Sequence, residues 1–350
     1  MELESAELGP GMRVSRLAKG NWQLAERHGP AVEAERAIED MRAFVEAGIT
    51  LFDCADHYVG VEALIGAFRR RHPVLARTLR ISTKLVPDAG LLRRLRCADL
   101  EQIVDTSLAR LGVERLDLVQ FHWWDYAVPG YVQALHWLKD LQAAGKVGLI
   151  GTTNFDTARL REIVDNGVPV ASNQLQYSVL DSRPERGMVE FCARHGISLL
   201  CYGVLAGGFL SARWLGAADP QPPFANRSLQ KYRLIIEDFG GWARFQQVLR
   251  TLDAIARRHG TSIANVATRY VLDKPGVTVA ILGARGAAHL GEALQALCLR
   301  LEDADRTRID ALARAAPGPA GDCYALERLE DGPHSTIMWK NQNTQGAGAR

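Results

Sequence analysis

The cysteines of this chain form no recognisable pattern. Six of the 350 residues are cysteine, and no pair has the Cys-x-x-Cys spacing that zinc sites and redox motifs share. The scattered positions argue against a metal site and against a disulfide framework, and they fit a protein that is kept reduced in the cytoplasm. These positions are Cys54, Cys97, Cys192, Cys201, Cys298 and Cys323.

An excess of one charge sign and long apolar runs are also missing. The chain has 42 basic and 40 acidic residues, so its formal net charge is only +2. This balance gives no electrostatic reason to expect nucleic acid or an anionic membrane as a partner. No apolar run approaches the length that spans a bilayer, and the polar N-terminus has no apolar signal core. We therefore predict a soluble, cytoplasmic protein without a nucleic-acid or membrane partner.

The Gly-x-Gly-x-x-Gly fingerprint of a Rossmann fold does not follow the first predicted strand. The chain instead alternates short apolar strands with amphipathic helices through eight strand–helix units. Right-handed parallel crossovers of eight such units favour closure into a barrel over an open sheet. The predicted strands are residues 17–24, 49–53, 79–83, 116–121, 147–151, 170–173, 197–202 and 277–282.

The predicted fold class is α/β, with a (β/α)8 TIM barrel and extra helices over residues 17–315. Residues 1–16 predict an N-terminal turn or hairpin. Residues 203–240, after the seventh strand, are rich in glycine, proline and alanine, and their length predicts a functional loop rather than an ordinary connection. Residues 316–350 are predicted to form an irregular tail near the mouth of the active site.

Three consecutive predicted strands lead into ionisable side chains. Asp53 ends the second strand and is followed by Tyr58, while Lys84 and His122 follow the third and fourth strands. In a barrel the carboxyl ends of the strands converge on one face, so these four side chains would be neighbours. Any one of them alone is more often a solvated or ion-paired structural residue. Four such residues at or just after the ends of three consecutive strands indicate a candidate catalytic site.

The four groups suit the reduction of a carbonyl. A phenol has a pKa near 10, so Tyr58 can donate a proton at neutral pH, provided that a neighbour stabilises the phenolate. Lys84 supplies that positive charge, Asp53 holds the ammonium, and His122 orients a substrate oxygen or relays a proton. The carbonyl oxygen becomes negative as hydride arrives and is stabilised by such donors. No side chain supplies hydride, so a cofactor is required, and nicotinamide is the simplest candidate.

Five segments together resemble the successive signatures of the aldo-keto reductases, and the resemblance runs from about residue 8 to residue 300. They read FDCADHY at 52–58, STK at 82–84, DLVQFHW at 117–123, GKVGLIGTTNF at 145–155 and NQLQYS at 173–178. The resemblance implies a (β/α)8 barrel that binds an extended nicotinamide dinucleotide across its C-terminal face. It also implies that Tyr58 is the proton donor, that Lys84 and Asp53 tune it, and that His122 positions the carbonyl.

The same resemblance implies the cofactor contacts. Thr153, Asn154 and Gln174 would hold the carboxamide. Tyr202 would stack on the nicotinamide ring, and Arg285 would meet the 2′-phosphate and so favour NADPH. The full set of cofactor-binding residues is Trp22, Thr153, Asn154, Gln174, Tyr202, Gly203, Leu205, Gly207, Gly283, Arg285, His289 and Glu292. The substrate-lining residues are Trp22, His57, Trp123 and Trp124.

Several positions depart from the pattern of the family. Most of these departures lie at the phosphate and adenosine end of the cofactor, so they bear on the choice between NADPH and NADH. Trp124 stands where a proline is frequent and would reshape the substrate mouth. The positions that depart are Trp124, Thr153, Gly203, Val204, Leu282, His289 and Ala293.

Some residues have a structural as well as a functional interpretation. Trp123, Trp124 and Tyr126 form either a substrate-facing wall or rim packing, because tryptophan is partly buried in both roles. Arg285 is alternatively an ordinary solvated arginine. Cys54 is interpreted as a packing residue, since nothing beside it in the sequence activates a thiolate. Trp339 either reaches the pocket or packs elsewhere in the tail.

The predicted function is therefore NADPH-dependent, reversible reduction of an aldehyde or ketone, with NADH as the alternative cofactor. An NAD-linked sugar or alcohol dehydrogenase of the same family is the nearest alternative. A nicotinamide-binding regulatory subunit with slow turnover is a third. The expected partner is a small carbonyl or alcohol substrate. No sequence feature indicates an oligomeric state.

Overall fold

The computed structural model describes residues 3–26, 28 and 32–341. Residues 1–2 of the predicted hairpin and 342–350 of the predicted tail lie outside the described residues. The strands in the described part are β1 Ser5–Gly9, β2 Met12–Ser15, β3 Leu17–Gly20, β4 Leu51–Asp53, β5 Arg80–Leu85, β6 Leu116–Phe121, β7 Val147–Thr153, β8 Val170–Gln176, β9 Ser198–Tyr202 and β10 Val277–Gly283.

Strands β3 to β10 form a closed barrel in which every neighbouring pair is parallel. They follow one another in chain order, and β10 pairs with β3 to close the ring. The predicted (β/α)8 barrel is thereby confirmed. Apolar side chains fill its interior, among them Leu51, Leu118, Leu200 and Val279, all nearly inaccessible to solvent. Burial of such side chains contributes about 1.5–3 kcal/mol each.

The N-terminal hairpin pairs β1 with β2 and plugs one end of the barrel. Leu8, Met12 and Val14 belong to the same buried cluster as the interior of the barrel. Gly9 lies so close to Leu149 that a Cβ would stand 2.9 Å from its Cδ1 atom. The hairpin therefore closes the amino-terminal end of the strands and leaves the opposite end free for a site.

The helices cover the outside of the barrel. The described part contains α1 Ala34–Glu46, α2 Val61–Arg71, α3 Pro73–Ala76, α4 Cys97–Leu111, α5 Tyr131–Ala143, α6 Thr157–Asp165, α7 Met188–His195, α8 Arg227–Asp238, α9 Gly241–His259, α10 Ile263–Leu272, α11 Leu290–Cys298, α12 Asp303–Ala315, α13 Ala325–Arg328 and α14 Pro333–Thr336. Within that part, none of the helices combines the length and apolar character that a bilayer crossing needs. How the chain divides into domains stays a prediction.

The prediction of one long loop over residues 203–240 is wrong for its C-terminal part. Helix α8 begins after Asn226, whose side chain accepts a hydrogen bond from the third residue beyond it. Tyr232 and Ile235 lie on its buried face. The helical spacing of these residues is present in the sequence. The glycine and proline residues that precede it nevertheless led to the prediction of a loop. The tail likewise contains two one-turn helices, α13 and α14.

The lysine of the first barrel strand is completely buried. The Lys19 ammonium donates to Asn21 Oδ1 at 2.7 Å and to Ala284 O at 3.2 Å, and it lies over the ring of Phe44. Burial lowers the pKa of Lys19 to about 7, against the opposing attraction of Asp40. The folded protein thus binds this proton less tightly than the unfolded chain does, since an exposed lysine has a pKa near 10.4.

We expect Lys19→Met to remove a specific pH dependence of stability. Between the folded pKa of about 7 and the unfolded value, the unfolded chain holds the proton and the folded protein does not. Lys19 therefore makes the free energy of unfolding of the wild type rise with pH by up to about 1.4 kcal/mol per pH unit in this window. Below the window this slope disappears, because Lys19 is protonated in both states. Urea unfolding from pH 7 to pH 9.5 measures the slope. Exposed Lys139→Met is the control, and an unchanged slope in Lys19→Met would contradict the expectation.

Candidate active site

The centre of the site is a buried ion pair between neighbouring strands. Asp53 ends β4, and the Lys84 ammonium of β5 donates to both of its carboxylate oxygens at 2.8 Å and to Cys54 O at 2.9 Å. Both side chains are about 6% exposed. Burial acts to lower the pKa of Lys84, but the Asp53 carboxylate outweighs it and raises that pKa above its ordinary value. The ammonium is therefore charged at every physiological pH.

The Tyr58 phenol lies directly above this pair. Its ring centroid is 5.1 Å from Lys84 Nζ and 4.8 Å from the ring of Trp22. Burial raises the pKa of Tyr58 to about 12, although the positive charge of Lys84 opposes the rise. The phenol is thus protonated at neutral pH, and Lys84 is placed to stabilise the phenolate that proton donation would leave.

His122 follows β6 and is held in one tautomer. Its Nδ1 atom lies 3.1 Å from Thr153 O, and a carbonyl only accepts, so Nδ1 carries the hydrogen. Burial and the charge of Arg328 hold the pKa of His122 well below its usual range, so the ring is neutral. Its Nε2 atom therefore presents a lone pair, and this atom has no hydrogen-bond partner among the residues that the structure describes.

His57 stands beside Tyr58 and is oriented by its neighbour in the chain. Its Nδ1 atom and its backbone N–H lie 3.1 Å and 2.7 Å from Asp56 Oδ1, and Asp56 itself is buried. The ring centroids of His57 and Tyr58 are 4.8 Å apart. The site therefore has a second, fixed imidazole next to the phenol.

Polar groups at the ends of β7 and β9 continue the site beyond the ion pair. The Thr153 hydroxyl is buried and finds no partner in the described part of the chain. Tyr202 donates from its hydroxyl to Asn154 Oδ1 at 2.8 Å, and Asn154 adopts a left-handed φ of 62°. Gln174 directs its amide nitrogen to Asp53 at 2.6 Å. Thr153, Asn154, Gln174 and Tyr202 all line one cavity.

Two glycines leave a backbone cradle next to Tyr202. Gly203 and Gly207 have positive φ angles of 73° and 63°, which favour glycine. A Cβ on Gly203 would stand 2.4 Å from the Tyr232 hydroxyl, and one on Gly207 would stand 2.6 Å from the same ring. The packing of Tyr232 therefore requires glycine at both positions, and both glycines also line the cavity.

A cluster of basic side chains also lines this cavity. Arg285 and Arg227 line it together with His28, whose pKa is lowered first by burial and then by these two arginines. His28 Nε2 lies 3.2 Å from Ser228 Oγ. Sequence reasoning missed Arg227 and His28, because the predicted loop concealed α8 and nothing in the local sequence marks His28.

The tail supplies one wall of the cavity. Tyr324, Met338 and Trp339 all line it. The Tyr324 ring lies 5.6 Å from His122, and the Trp339 ring lies 6.2 Å from Trp22. Described residues of the tail thus line this cavity, and Trp339 is among them.

The predicted site residues lie together with three exceptions. All of them except Trp123, His289 and Glu292 line the same cavity. Trp123 is 1% exposed and turns outward: its Nε1 atom donates to Val128 O at 2.9 Å, and its ring packs near Tyr131 of α5. The placement of Trp123 in the substrate pocket is therefore wrong. His289 and Glu292 are exposed around the start of α11, and their cofactor contacts stay predictions.

The residues of the cavity fit a nicotinamide dinucleotide. The unpartnered Thr153 hydroxyl and the Asn154 amide both line the cavity, and groups of this kind suit the hydrogen bonds of a carboxamide. Gly203 and Gly207, which follow Tyr202 in the chain, line the same cavity as the basic cluster, and both features suit the phosphates of a dinucleotide. An extended cofactor would therefore lie from the ion pair to Arg285.

Known proteins are similar to this chain over most of its length. The profile of the aldo/keto reductase family matches residues 16–314. Aldo-keto reductase YhdN of Bacillus subtilis (strain 168) is 28% identical over 79% of this chain and 82% of its own length. Flagellar radial spoke protein 5 of Chlamydomonas reinhardtii is 30% identical over 63% of this chain, which spans about half (49%) of that protein.

A solved structure gives the same result. The thermostable aldo-keto reductase Tm1743, crystallised with the inhibitor epalrestat, superposes with a TM-score of 0.71 at 27% identity. The match covers 89% of this chain and all (100%) of that structure. From the closed barrel, the buried ion pair below a phenol and the family profile over residues 16–314, we conclude that this chain is an oxidoreductase of the aldo/keto reductase family.

Proposed function

We propose that this protein reduces an aldehyde or a ketone to the alcohol with NADPH as the hydride source. The observation that carries the proposal is the protonated phenol of Tyr58 directly above the buried Asp53–Lys84 pair. That arrangement supplies a proton donor and a fixed positive charge, which are the two needs of a carbonyl oxygen that becomes negative. A cytoplasmic location stays a prediction.

The chain's own residues perform the proton chemistry. The bound nicotinamide supplies the hydride that adds to the carbonyl carbon. Tyr58 gives its phenolic proton to the carbonyl oxygen, and the Lys84 ammonium stabilises the resulting phenolate. Asp53 keeps that ammonium in place through both carboxylate oxygens. His122 contributes a lone pair, which would orient a hydroxyl of the substrate or of the product alcohol.

The experiment that tests this proposal is a steady-state assay of NADPH and NADH oxidation across a panel of aldehydes and ketones. Turnover with NADPH supports the proposal. Turnover confined to NADH, or to alcohol oxidation with NAD, would assign the chain to the dehydrogenase alternative instead. Tight cofactor binding without turnover of any carbonyl or alcohol would favour the regulatory alternative.

We expect Arg285→Ala to weaken NADPH selectively. Arg285 lies in the basic cluster, where its guanidinium would meet a 2′-phosphate that NADH lacks. Hydrogen bonds to charged groups contribute about 1.5–3 kcal/mol, so the KM for NADPH should rise roughly 10- to 100-fold while the KM for NADH stays the same. Arg300→Ala, which changes an exposed arginine outside this cavity, is the control. Equal weakening of both cofactors would contradict the 2′-phosphate assignment.

A further inference from the structure

One arginine of the tail bridges the exits of two adjacent barrel strands. Arg328 of α13 donates from Nη1 to Asn154 O and from Nη2 to Trp123 O, each at 2.8 Å. Asn154 directly follows β7, and Trp123 lies two residues beyond the end of β6. A single guanidinium thus connects the segment that carries His122 with the segment that carries Thr153.

These contacts close a ring around the imidazole of His122. Its Nδ1 atom donates to Thr153 O at 3.1 Å, and Thr153 is joined through the chain to Asn154. Arg328 then joins Asn154 back to Trp123, the residue that follows His122. The imidazole is therefore held from both sides, and a shift of either strand exit would turn it. Replacement of this guanidinium by a shorter or single-point donor would open the ring.

The guanidinium of Arg328 is itself fixed by its surroundings. It lies 4.1 Å from the ring centroid of Tyr126 and 5.0 Å from that of Tyr324. The neighbouring Glu327 is buried and pairs with Arg183 at 3.1 Å, which anchors α13. Burial acts to raise the pKa of Glu327, but Arg183 and Lys231 outweigh it and lower that pKa to about 2.

We propose that Arg328 is a positioning residue for the reaction, because it holds the His122 imidazole and the Asn154 backbone in one arrangement. The proposal rests on the proposed function, in which His122 faces the substrate and Asn154 faces the carboxamide. Arg328 itself does not line the cavity, so it acts on the substrate and the cofactor through His122 and Asn154. Nothing in its local sequence connects it to the site, since it lies 174 residues from Asn154.

The kinetic test compares Arg328→Ala and Arg328→Lys with a matched control. Arg186 also donates to a backbone carbonyl of the tail, Gly321 O at 2.8 Å, but it touches neither strand exit. We expect kcat/KM to fall roughly 10- to 100-fold in Arg328→Ala, as for other residues that orient catalytic groups. Arg328→Lys should recover little, because an ammonium cannot bridge both carbonyls in the geometry of the fork. Arg186→Ala should keep activity near the wild-type level.

Guanidinium ion provides a rescue that a purely structural role would not show. Millimolar guanidinium chloride should restore part of the kcat/KM of Arg328→Ala, whereas equal sodium chloride should not. Arg186→Ala should respond to neither salt. Arg328→Ala that keeps wild-type kcat/KM would overturn the proposal. A loss of activity that guanidinium leaves unchanged in a variant with a normal unfolding temperature would overturn it as well.

A second readout does not depend on turnover. Beyond burial, the groups whose charges lower the pKa of His122 are Arg328, His57 and Lys84. Imidazole NMR signals, with that of His122 assigned by His122→Asn, should show the ring neutral at pH 7 in wild type and in Arg186→Ala. In Arg328→Ala the ring should begin to protonate at higher pH than in wild type. An identical titration would overturn the proposal, whereas absence of any wild-type turnover would count only against the proposed function.

Discussion

Replacement of Tyr58 by phenylalanine is expected to lower kcat for carbonyl reduction roughly 10²- to 10⁴-fold, the range that a positioned general acid contributes. The ring of this phenol lies 5.1 Å from the buried Lys84 ammonium, and its pKa of about 12 keeps it protonated through the neutral range. Phenylalanine preserves the ring contact with Trp22 but removes the proton. Steady-state assays with NADPH and a saturating carbonyl measure the loss.

The binding of NADPH provides the internal comparison for this variant. Its dissociation constant, measured by quenching of protein fluorescence, should stay within about twofold of wild type, since in the proposed function the removed hydroxyl serves the carbonyl rather than the cofactor. Tyr270→Phe is the matched control, because that hydroxyl donates to Asp310 at 2.6 Å outside the cavity. Full activity in the Tyr58 variant would mean that another group donates the proton.

Replacement of Lys84 by methionine is expected to cost both activity and stability. Asp53 would remain buried with only the Gln174 amide as a described partner, and an uncompensated buried charge destabilises by about 3–5 kcal/mol. The phenolate of Tyr58 would also lose its stabilising charge, so kcat should fall at least about 100-fold. Urea unfolding at pH 7.5 and the NADPH assay measure the two effects separately.

The double variant Asp53→Asn with Lys84→Met separates charge burial from chemistry. It removes both charges, so much of the lost stability should return while activity stays low. Lys84 has a raised pKa in the folded protein, so its stabilisation is complete below the unfolded lysine pKa and is lost only as pH rises through the folded value. Equal instability of the single and double variants near neutral pH would show that packing, rather than an unpaired carboxylate, determines the loss.

The barrel and the catalytic set could be predicted because both depend on short-range order in the chain. A strand that is buried on both faces appears in the sequence as a short run of apolar residues. Where such a strand ends at the site, an ionisable residue stands at the end of that apolar run. Asp53 ends β4, Lys84 is the last but one residue of β5, and His122 directly follows β6. Closure of eight parallel strands then forces their carboxyl ends together, so sequence order alone brings these three side chains to one face.

Trp123 and Trp124 show where prediction from the sequence stops. They are adjacent in a segment that follows a strand, and either could turn toward the cavity. The structure turns Trp123 outward against α5 and places Trp124 in the cavity, 4.4 Å from the ring of His122. Loop backbone angles decide this choice, and these depend on contacts with other elements rather than on the two residues.

The sequence by itself therefore determined the barrel, the order of its strands and the candidate catalytic residues that those strands present. Tertiary structure decided which distant side chains complete the site: Arg227 from α8, Tyr324 and Trp339 from the tail, and Arg328, which bridges two strand exits. It also decided the charge states, because burial and neighbouring charges shift the pKa of Tyr58 and Lys19 in ways that residue type does not reveal. Periodicity is a local property of the chain, whereas burial and long-range contacts exist only after the chain has folded.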